Sequence, residues 1–392
     1  MELSNYQVLH HLFNSMNHES HIDRPFFLLI LTLSLCGFGI FISASLGLLT
    51  RNGPDMTGIA LTQALSLLLG FAGFFVVSHI NYRFWRSYAF MGLLGAIGLN
   101  LILFIPGIGI EHGGAVRWID IGITSFQPSE VLKIMYIVYC AGWLSSRRNS
   151  LDSMTQGIIP FLVILSIICG LLIAQSDTDT LVVIGSTGII MLLAAGAKLR
   201  HIALICGLGL IVVSSIIIVR PYARDRILTY FDPGRDPSGS SYQIQQSLIA
   251  VGSGQMFGRG FGQSLQKFYY LPEPIGDSIF AVQAEEFGFL GSTLLIGLYV
   301  ALAWRSLKIA QRAPDAFGGL IIVGIVILII VESFMNISSM IGLLPLSGQP
   351  LLFVSHGGTA LAIILTSAGL IANISRHKRK VGNDVVVAEE IN

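Results

Sequence analysis

The stretch Tyr242-Gln-Ile-Gln-Gln-Ser-Leu-Ile-Ala-Val-Gly-Ser-Gly-Gln-Met-Phe-Gly-Arg-Gly-Phe-Gly-Gln-Ser264 lies within the longest polar segment of the chain, which runs from Arg220 to about Phe280. It combines amides, glycines and hydroxyls, and Leu271-Pro-Glu-Pro-Ile-Gly-Asp-Ser-Ile-Phe280 then leads into an apolar helix pattern. A long connection is usually functional or disordered, and the aromatic and branched apolar residues here do not favour disorder. We therefore expect any chemistry to take place in this polar segment.

Outside this segment, the composition is that of an integral membrane protein. Of the 392 residues, 53% are hydrophobic and 11% are charged, whereas a soluble domain has about a quarter charged residues. The formal net charge of +1 and the lack of a basic stripe exclude nucleic-acid binding. Each of the four cysteines lies inside an apolar run without CxxC spacing, so neither a disulfide framework nor a zinc site is expected.

Apolar stretches long enough to cross a bilayer, for which a helix needs about 20 residues, occur ten times. Their approximate ranges are 26–49, 56–80, 87–106, 128–146, 155–175, 180–197, 199–219, 279–304, 317–344 and 350–374. The predicted fold is therefore an all-α integral membrane protein with about ten transmembrane helices and a large loop between helices 7 and 8.

The distribution of Lys and Arg predicts the orientation of these spans. An even number of spans puts both termini on one side. The tails and loops of that side carry 14 Lys and Arg residues, whereas the short loops of the other side carry only Arg51 and Arg117. The basic side is expected to be cytoplasmic. We predict a cytoplasmic tail over 1–25, a membrane domain over 26–375 with an extracytoplasmic loop over 220–279, and a cytoplasmic tail over 376–392.

The glycine pattern does not indicate a nucleotide-binding fold. Gly252-x-Gly254 followed by Gly258-x-Gly260-x-Gly262 does not match the GxGxxG spacing, and there is no P-loop. The sequence also lacks an evident internal repeat or a pair of interrupted helices of the kind found in many secondary transporters. This favours an enzyme over a transporter without eliminating the transporter.

Ionisable residues inside predicted spans cost about 2.5–3.5 kcal/mol each on insertion scales, so each needs an explanation. Glu130 and Lys133 are three residues apart and lie on one helix face. They form either a neutralised pair that fixes helix packing or a part of the site.

Two further acidic positions lie in the eighth and ninth spans. Glu285 and Glu286 are adjacent, so their side chains point about 100° apart on a helix. We expect one to face a polar cleft and the other a neighbouring helix. Glu332 has Asn336 one turn later, and this pair is interpreted mainly as a packing contact.

Asp277 is the foremost catalytic candidate. Pro272 and Pro274 favour an extended lead-in, Gly276 permits a turn, and an apolar helix pattern follows. This context is typical of a helix N-cap. A carboxylate at the mouth of a cavity is also well placed to act as a general base, so both interpretations stay open.

Cations lie on both sides of the glycine-rich stretch. Arg220, Arg224 and Arg226 follow the seventh span, where they either snorkel to lipid phosphates or bind a lipid-linked diphosphate. Arg259 and Lys267 lie beside flexible glycines, which favours a phosphate-binding role.

These motifs together identify a resemblance to a known family, which covers nearly the whole chain. The matching stretches are Ser43-Ala-Ser, Arg117-Trp-Ile, Phe126-Gln-Pro-Ser-Glu-Val-Leu-Lys133, Tyr242 to Gly254, Gly258 to Lys267, Leu271-Pro-Glu-Pro, Asp277-x-Ile-Phe-Ala-Val-x-Ala-Glu-Glu-x-Gly288, Gly342-Leu-Leu-Pro-Leu-Ser-Gly348 and Gly357-Gly358. In these stretches the chain resembles the SEDS family of bacterial cell-wall proteins, which includes FtsW, RodA and SpoVE. Gly-Gln-Ser-Leu-Gln-Lys followed by Tyr-Leu-Pro-Glu-Pro is more similar to the FtsW/SpoVE branch.

The resemblance implies a ten-helix peptidoglycan glycosyltransferase of the bacterial cytoplasmic membrane. Such an enzyme polymerises lipid II on the outer face and works with a class B penicillin-binding protein as transpeptidase, together with other proteins of the cell-wall synthesis complex. The catalytic aspartate of the family matches Asp277, and its Glu and Lys of the fourth span match Glu130 and Lys133. The further substrate-binding residues predicted from the matching stretches are Arg117, Arg220, Gln243, Gln246, Ser247, Arg259, Lys267 and Glu285.

The chain departs from the family pattern at several motif positions. The family usually has Thr-Asp-Phe at Gly276-Asp-Ser278, Gln-Pro-Asp-x-Gly-Thr at Gln175-Ser-Asp-Thr-Asp-Thr180, Ser-Tyr-Gly-Gly-Ser-Ser at Ser355-His-Gly-Gly-Thr-Ala360, and Gln at Glu332. These departures suggest a divergent branch and affect substrate detail more than reaction class.

The mechanism implied for the family is a single inverting displacement. Asp277 would deprotonate the sugar hydroxyl that attacks the anomeric carbon of the second lipid-linked sugar, and Arg220, Arg259 and Lys267 are the predicted partners of the leaving diphosphate. The sequence demands no cofactor; Mg²⁺ or Mn²⁺ could share this task, but no ligand cluster indicates a metal site. The competing functions are a lipid II flippase and a non-catalytic scaffold for the transpeptidase.

Overall fold

The computed structural model describes residues 21–50, 56–112, 115–120, 125–232 and 239–377, and this part of the protein is largely helical. The helices are α1 Arg24–Ser45, α2 Met56–His79, α3 Tyr82–Leu101, α4 Pro128–Ser146, α5 Ile159–Ala174, α6 Thr178–Ala194, α7 Leu199–Val219, α8 Pro221–Phe231, α9 Ser240–Ser253, α10 Gln266–Tyr269, α11 Ile279–Gln311, α12 Ala316–Met340 and α13 Gly358–Arg376. Short 3₁₀ turns extend α1 and α3, and a π turn over Met154–Ile158 precedes α5.

A small antiparallel sheet connects α3 to α4. Its strands are β1 Gly109–His112, β2 Ala115–Asp120 and β3 Ser125–Phe126, in the order β1-β2-β3. Ile110 pairs with Trp118, and Ile119 pairs with Phe126. This sheet is not predicted from the sequence.

The all-α membrane class is confirmed. In the described part of the chain, eight helical segments are long and apolar enough to cross a membrane: Arg24–Leu49, Met56–His79, Tyr82–Phe104, Met154–Ala174, Leu199–Val219, Ile279–Gln311, Ala316–Met340 and Gly358–Arg376. The predicted spans 128–146 and 180–197 coincide with α4 and α6. Helix α6 has only 17 residues, and α4 carries Glu130 and Lys133 in its first two turns. The total of ten spans therefore stays a prediction.

Helix α12 is the centre of the bundle and packs against α4, α6 and α11. Most of its apolar residues are buried, and its polar residues Glu332, Ser333 and Asn336 are fully enclosed. Helix α7 is different, because it packs mainly on α6 and α8 and leaves most of its apolar side chains on the outer surface. Lipid is as apolar as leucine, so such a surface suits a membrane-spanning helix.

The predicted span at 279–304 is not an unbroken helix, because α11 is interrupted at Gly288, which has φ 65° and ψ −163°. A β-carbon at this position would collide with the backbone nitrogen of Gly258. The backbone of the glycine-rich segment 255–260 replaces the missing helical hydrogen bonds. The four bonds run from Arg259 N–H to Glu285 O at 3.0 Å, Gly260 N–H to Glu286 O at 2.9 Å, Phe289 N–H to Gln255 O at 2.8 Å and Leu290 N–H to Met256 O at 3.1 Å. The backbone N–H and C=O groups freed by the break thus keep hydrogen-bond partners within the protein, as a membrane domain requires.

The predicted 220–279 loop is largely structured. It contains α8, α9 and the short α10, and the glycine-rich segment between α9 and α10 is bound to α11. The polar stretch is therefore a set of short helices at the end of the bundle where α11 begins.

Candidate active site

Asp277 lies half-buried in a tight turn directly before α11. The N–H groups of Gly276 and Ser278 both donate to the carbonyl oxygen of Glu273 at 3.1 Å, and Glu273 itself adopts φ 45°. The N-cap residue of α11 is Ser278, which makes no side-chain capping bond. The expected capping role of Asp277 is therefore not observed.

The backbone of the turn is fixed by groups that are distant in sequence. Three consecutive carbonyl oxygens, at residues 275–277, accept hydrogen bonds from α12 and from the segment before α13. The bonds are His356 N–H to Ile275 O at 2.7 Å, Ser355 Oγ to Gly276 O at 2.9 Å and Asn336 Nδ2 to Asp277 O at 2.8 Å. Asn336 Nδ2 also lies 2.9 Å from the carbonyl oxygen of Gln349, so α12 ties both segments together.

Three charged side chains converge on Gly348. A β-carbon added to Gly348 would lie 3.4 Å from Asp179 Oδ2, 3.7 Å from Arg226 Nη2 and 3.9 Å from Asp277 Oδ2. Arg226 Nη1 donates to Asp179 Oδ2 at 2.8 Å, and the Gly348 N–H donates to the same oxygen at 3.0 Å. The first turn of α6, helix α8 and the turn before α11 thus meet at one point.

Burial raises the pKa of Asp277 to about 7, with further contributions from the negative charges of Glu273 and Asp179. The positive charges of Arg226 and Arg117 oppose this rise. A carboxylate whose pKa lies near the working pH combines a useful population of the basic form with useful basicity. With a pKa of about 7, the Asp277 carboxylate can accept a proton near neutral pH.

Arg117 is brought to this region by strand β2. Its guanidinium donates to the carbonyl oxygen of Ser176, and its Nη1 lies 3.7 Å from Asp177 Oδ1. Asp177 is the N-cap of α6 and accepts a bond from the Thr180 N–H at 3.3 Å. Arg117 Nε and Asp177 Oδ2 are both buried, and neither has a hydrogen-bond partner among the described residues.

Helix α9 supplies one predicted residue directly beside the turn. Gln243 Nε2 donates to Ser278 Oγ at 2.9 Å. Ser247 is fully buried and donates to the Gln243 carbonyl oxygen at 2.8 Å, which makes it part of the helix interior. Gln246 is half-buried on the same helix.

The predicted residues Arg259, Lys267 and Glu285 belong to a second cluster, which holds the glycine-rich segment on α11. Glu285 accepts bonds from Ser264 Oγ at 2.5 Å and from the N–H groups of Leu265 and Gln266 at 3.1 and 3.2 Å, and Arg259 Nε lies 3.4 Å from it. Glu286 accepts bonds from Lys267 Nζ and Ser43 Oγ, both at 2.5 Å. Glu286 thus reaches the neighbouring helix α1, as expected for one of the pair, whereas Glu285 binds backbone instead of facing an open cleft.

Lys267 is completely buried, with its ammonium group enclosed by Glu286 and Ser43. Arg220 is exposed at the start of α8. The cation of α8 that binds Asp179 and acts on Asp277 is Arg226, six residues further along the chain.

The predicted pair of Glu130 and Lys133 is one part of a larger buried cluster. Lys133 Nζ lies 2.8 Å from Glu130 Oε1 and also bonds Glu332 of α12. All three side chains are almost fully buried. Asn336, which donates to the Asp277 carbonyl oxygen, lies one turn beyond Glu332, so this cluster fixes the helix that supports the Asp277 turn.

Asp179, Arg226 and Asn336 were not predicted as site residues. For Arg226, as for Arg220 and Arg224, the sequence leaves diphosphate binding open beside snorkelling to lipid. Asp179 appears only in a stretch that departs from the family motif, and Asn336 is interpreted mainly as a packing residue. Asp179 lies in the first turn of α6 and Asn336 in the last two turns of α12, so a polar residue near a helix end was the available signal for these two.

A largely apolar cavity of about 360 Å³ extends from Arg226 between α6, α7, α8 and α12. Leu181, Ile216, Ile227 and Met335 line its length, and Thr178, Asp179 and Arg226 form its polar part. Within the described ranges, no group of three or more His, Cys, Asp or Glu side chains is arranged to hold a metal ion.

Comparison with known proteins extends over most of the chain. A family model for FtsW, RodA and SpoVE, described as "Cell cycle protein", matches residues 24–380. Stage V sporulation protein E of Bacillus subtilis (strain 168) is 37% identical over 354 residues, which cover 90% of this chain and 97% of that protein. A probable peptidoglycan glycosyltransferase FtsW of Geobacter sp. (strain M18) is 36% identical over 356 residues, covering 90% and 96%.

Solved structures share the fold. A chain of a peptidoglycan synthase complex that coordinates polymerization and crosslinking has a TM-score of 0.75 at 24% identity and covers 91% of this chain and 98% of its own length. The rod shape determining protein RodA of Thermus thermophilus has a TM-score of 0.68 at 22% identity, covering 91% and 97%. Because the family model and relatives above 30% identity match most of its length, this chain belongs to the FtsW/RodA/SpoVE family of cell cycle proteins, the SEDS family.

Proposed function

We propose that this protein is a peptidoglycan glycosyltransferase that polymerises lipid II, with Asp277 as the general base. The observation that carries the proposal is the position of Asp277: a half-buried carboxylate with a pKa of about 7, held by three backbone hydrogen bonds beside Arg226. Relatives at about 36% identity over most of the chain are named probable peptidoglycan glycosyltransferases, which supports the reaction class.

In the proposed reaction, an Asp277 carboxylate oxygen takes the proton from a sugar hydroxyl of one lipid-linked substrate. The hydroxyl oxygen forms a bond to the anomeric carbon of the other substrate, and the bond from that carbon to the diphosphate oxygen breaks. One displacement inverts the anomeric centre and needs one base. The leaving diphosphate carries its negative charge away without a proton, so nearby cations are sufficient to stabilise it.

Arg226 and Arg117 are the cations that we assign to the leaving diphosphate. The positive charges of both lower the pKa of Asp277. A guanidinium group can bind a phosphate through two parallel hydrogen bonds. The unpartnered Arg117 Nε supports a polar ligand at this place. Arg259 and Lys267 are bound to Glu285 and Glu286, so we assign them to holding the glycine-rich segment.

The cavity beside Arg226 suits an amphipathic substrate. Its apolar walls, formed by α6, α7, α8 and α12, would hold part of a polyprenyl chain, while Arg226 at its polar part would meet the diphosphate. This arrangement supports a lipid-linked donor over a soluble nucleotide sugar.

The remaining finer assignments follow the family. We propose that both termini lie on the cytoplasmic side of the bacterial inner membrane, because Lys and Arg are concentrated in the tails and loops of that side. A class B penicillin-binding protein is the proposed partner, since the similar solved chain belongs to a peptidoglycan synthase complex. If Mg²⁺ or Mn²⁺ takes part, it would help neutralise the diphosphate, although the described residues contain no arranged group of ligands for it.

The test is polymerisation of purified lipid II by the reconstituted protein, with and without a class B transpeptidase, read as glycan chains on gels. Asp277→Asn should lower the rate by at least ~100-fold, the usual contribution of a general base. Asp152→Asn is the matched control, because Asp152 is exposed and pairs with Lys198 at the other end of the bundle.

Three outcomes would contradict the proposal. Near wild-type polymerisation by Asp277→Asn would remove the base assignment. If the protein alone moves lipid II across vesicle membranes, and Asp277→Asn still does so, the result would favour a flippase. If Asp277→Asn has no effect, and substitutions on helix surfaces abolish binding of the transpeptidase, the result would favour a scaffold.

A further inference from the structure

Arg226 has two carboxylates within reach. Its Nη1 is 2.8 Å from Asp179 Oδ2, while its Nη2 and Asp277 Oδ2 lie 3.7 and 3.9 Å from the same point above Gly348. Asp179 is held in place by a second donor, the Gly348 N–H at 3.0 Å. The guanidinium is therefore anchored to a carboxylate that is itself fixed by backbone.

A general base cannot work while it is tied to a guanidinium. A charged partner within about 4–6 Å favours the ionised form of a carboxylate and can lower its pKa by about 1–3 units. If Arg226 formed its bidentate pair with Asp277 instead, the carboxylate oxygens would be occupied and less basic. A second acceptor for Arg226 prevents this.

We propose that Asp179 is a positioning residue: by binding the guanidinium of Arg226, it keeps that group from closing on Asp277 and leaves Asp277 available to accept the substrate proton. The inference rests on the proposed function and names the residue that regulates its base. Asp179 does not itself touch the reacting atoms, because it acts through Arg226.

Among the described residues, the charged groups that act on the pKa of Asp277 come from four elements. Glu273 lies in its own turn, Asp179 comes from α6, Arg226 from α8 and Arg117 from β2. Helix α12 and the segment before α13 contribute the uncharged Asn336 and Gly348 and the His356 backbone N–H. Among these, Arg226 has its closest carboxylate contact with Asp179, so a change at Asp179 acts first on Arg226.

The test is the pH dependence of kcat/KM for lipid II polymerisation by the full-length protein with its transpeptidase. The wild type should lose activity as pH falls, with a midpoint near 7. Asp179→Asn should move this midpoint down by roughly one unit or more, because the negative charge of Asp179 is lost and Arg226 then pairs with Asp277. Asp179→Glu keeps the charge and should restore the wild-type midpoint, and Asp152→Asn should leave the profile unchanged.

A merely structural role of Asp179 would lower activity equally at every pH without moving the midpoint. An Asp179→Asn profile with the wild-type midpoint would therefore overturn the inference, while an inactive Asp277→Asn would still support the proposed function. Conversely, an active Asp277→Asn would overturn the proposed function itself, so the two failures are distinguishable.

The double variant isolates the role of Arg226. In an Arg226→Gln background, Asp179→Asn should shift the midpoint less than it does in the wild type, and an equal shift would contradict action through Arg226. If Asp179→Asn does not fold, Arg226→Gln alone provides the test, since loss of the guanidinium must raise the midpoint. An unchanged midpoint in that variant would overturn the inference.

Discussion

At the scale of single residues, Lys133 is a buried charge with two acidic partners. One ammonium group is shared by the carboxylates of Glu130 and Glu332, and all three are buried. Removing one partner of a buried charge pair is costly because the remaining charge is left uncompensated. Because Lys133 compensates two carboxylates, its loss should lower the free energy of unfolding more than neutralising either carboxylate does.

Lys133→Met should therefore destabilise the protein by about 3–5 kcal/mol, as expected for an uncompensated buried charge. Glu332→Gln should leave stability unchanged or raise it, since Lys133 and Glu130 then form a balanced pair. Thermal unfolding in detergent measures both. Lys198→Met is the control, because Lys198 is half-exposed and its pair with Asp152 should contribute only about 0–1 kcal/mol. Equal losses in Lys133→Met and Glu332→Gln would argue against this account.

The raised pKa of Asp277 also predicts how stability depends on pH. Between its ordinary value of 3.8 and about 7, the folded protein keeps a proton on Asp277 that the unfolded chain releases. Stability is therefore lost as pH rises from about 4 to 7 and stays low above pH 7, so Asp277→Asn should raise the unfolding temperature at pH 8 by roughly 2 °C or more. The difference should shrink as pH falls from 7 towards 4. A difference that grows at acid pH would mean that the pKa is not raised.

The residues that the sequence identified share a local signal. Asp277 lies between prolines and a helix start, and Glu130 and Lys133 are charges within an apolar run, so neighbouring residues were enough to single them out. Asp179, Arg226 and Asn336 act through partners tens to more than a hundred residues away in sequence. No local pattern reports which of several arginines will meet which aspartate.

At the scale of elements, the break in α11 determines the shape of the polar end of the bundle. The apolar pattern continues through Gly288, so it predicts one continuous span. The break depends on the backbone of segment 255–260, which supplies four hydrogen bonds to the interrupted helix. A single glycine within a helical pattern does not reveal such a partner.

Gly288→Ala should prevent folding or greatly reduce the yield of folded protein, since a β-carbon has no room beside Gly258 and φ is 65°. Gly297→Ala in the same helix is the matched control. No atom lies within 4 Å of its added β-carbon, and Ala is favoured over Gly in helices by about 1 kcal/mol. Folded yield and unfolding temperature compare the two. Equal tolerance of both substitutions would show that the break is not required.

At the scale of the whole molecule, the charge asymmetry predicts the orientation of α11. We expect Tyr269→Cys, at a side chain 71% exposed, to react with a membrane-impermeant maleimide from outside intact cells. Gln311→Cys, at the other end of α11, should react only after the membrane is opened. Both are made in a background with the four native cysteines replaced. Labelling of Gln311→Cys in intact cells would reverse the orientation.

Most of the membrane architecture was predictable because hydrophobic length alone marks a span. Each predicted span from 26–49 to 350–374 overlaps a helix of the structure, although the last helix begins only at Gly358. The segment 345–357 before it is apolar enough to extend the predicted span, yet it is non-helical and buried against the catalytic turn. Hydropathy shows how apolar a segment is, but it does not distinguish a helix from a buried irregular segment.

The three hydrogen bonds that fix residues 275–277 also have a consequence for biosynthesis. Their donors, Asn336, Ser355 and His356, lie 59 to 81 residues further along the chain. The catalytic turn is therefore translated and inserted before the groups that shape it exist. Until α12 and the segment after it have left the ribosome and docked, a nascent chain carries Asp277 without its final geometry. The proposed active site is thus completed only after α12 and the segment before α13 have docked.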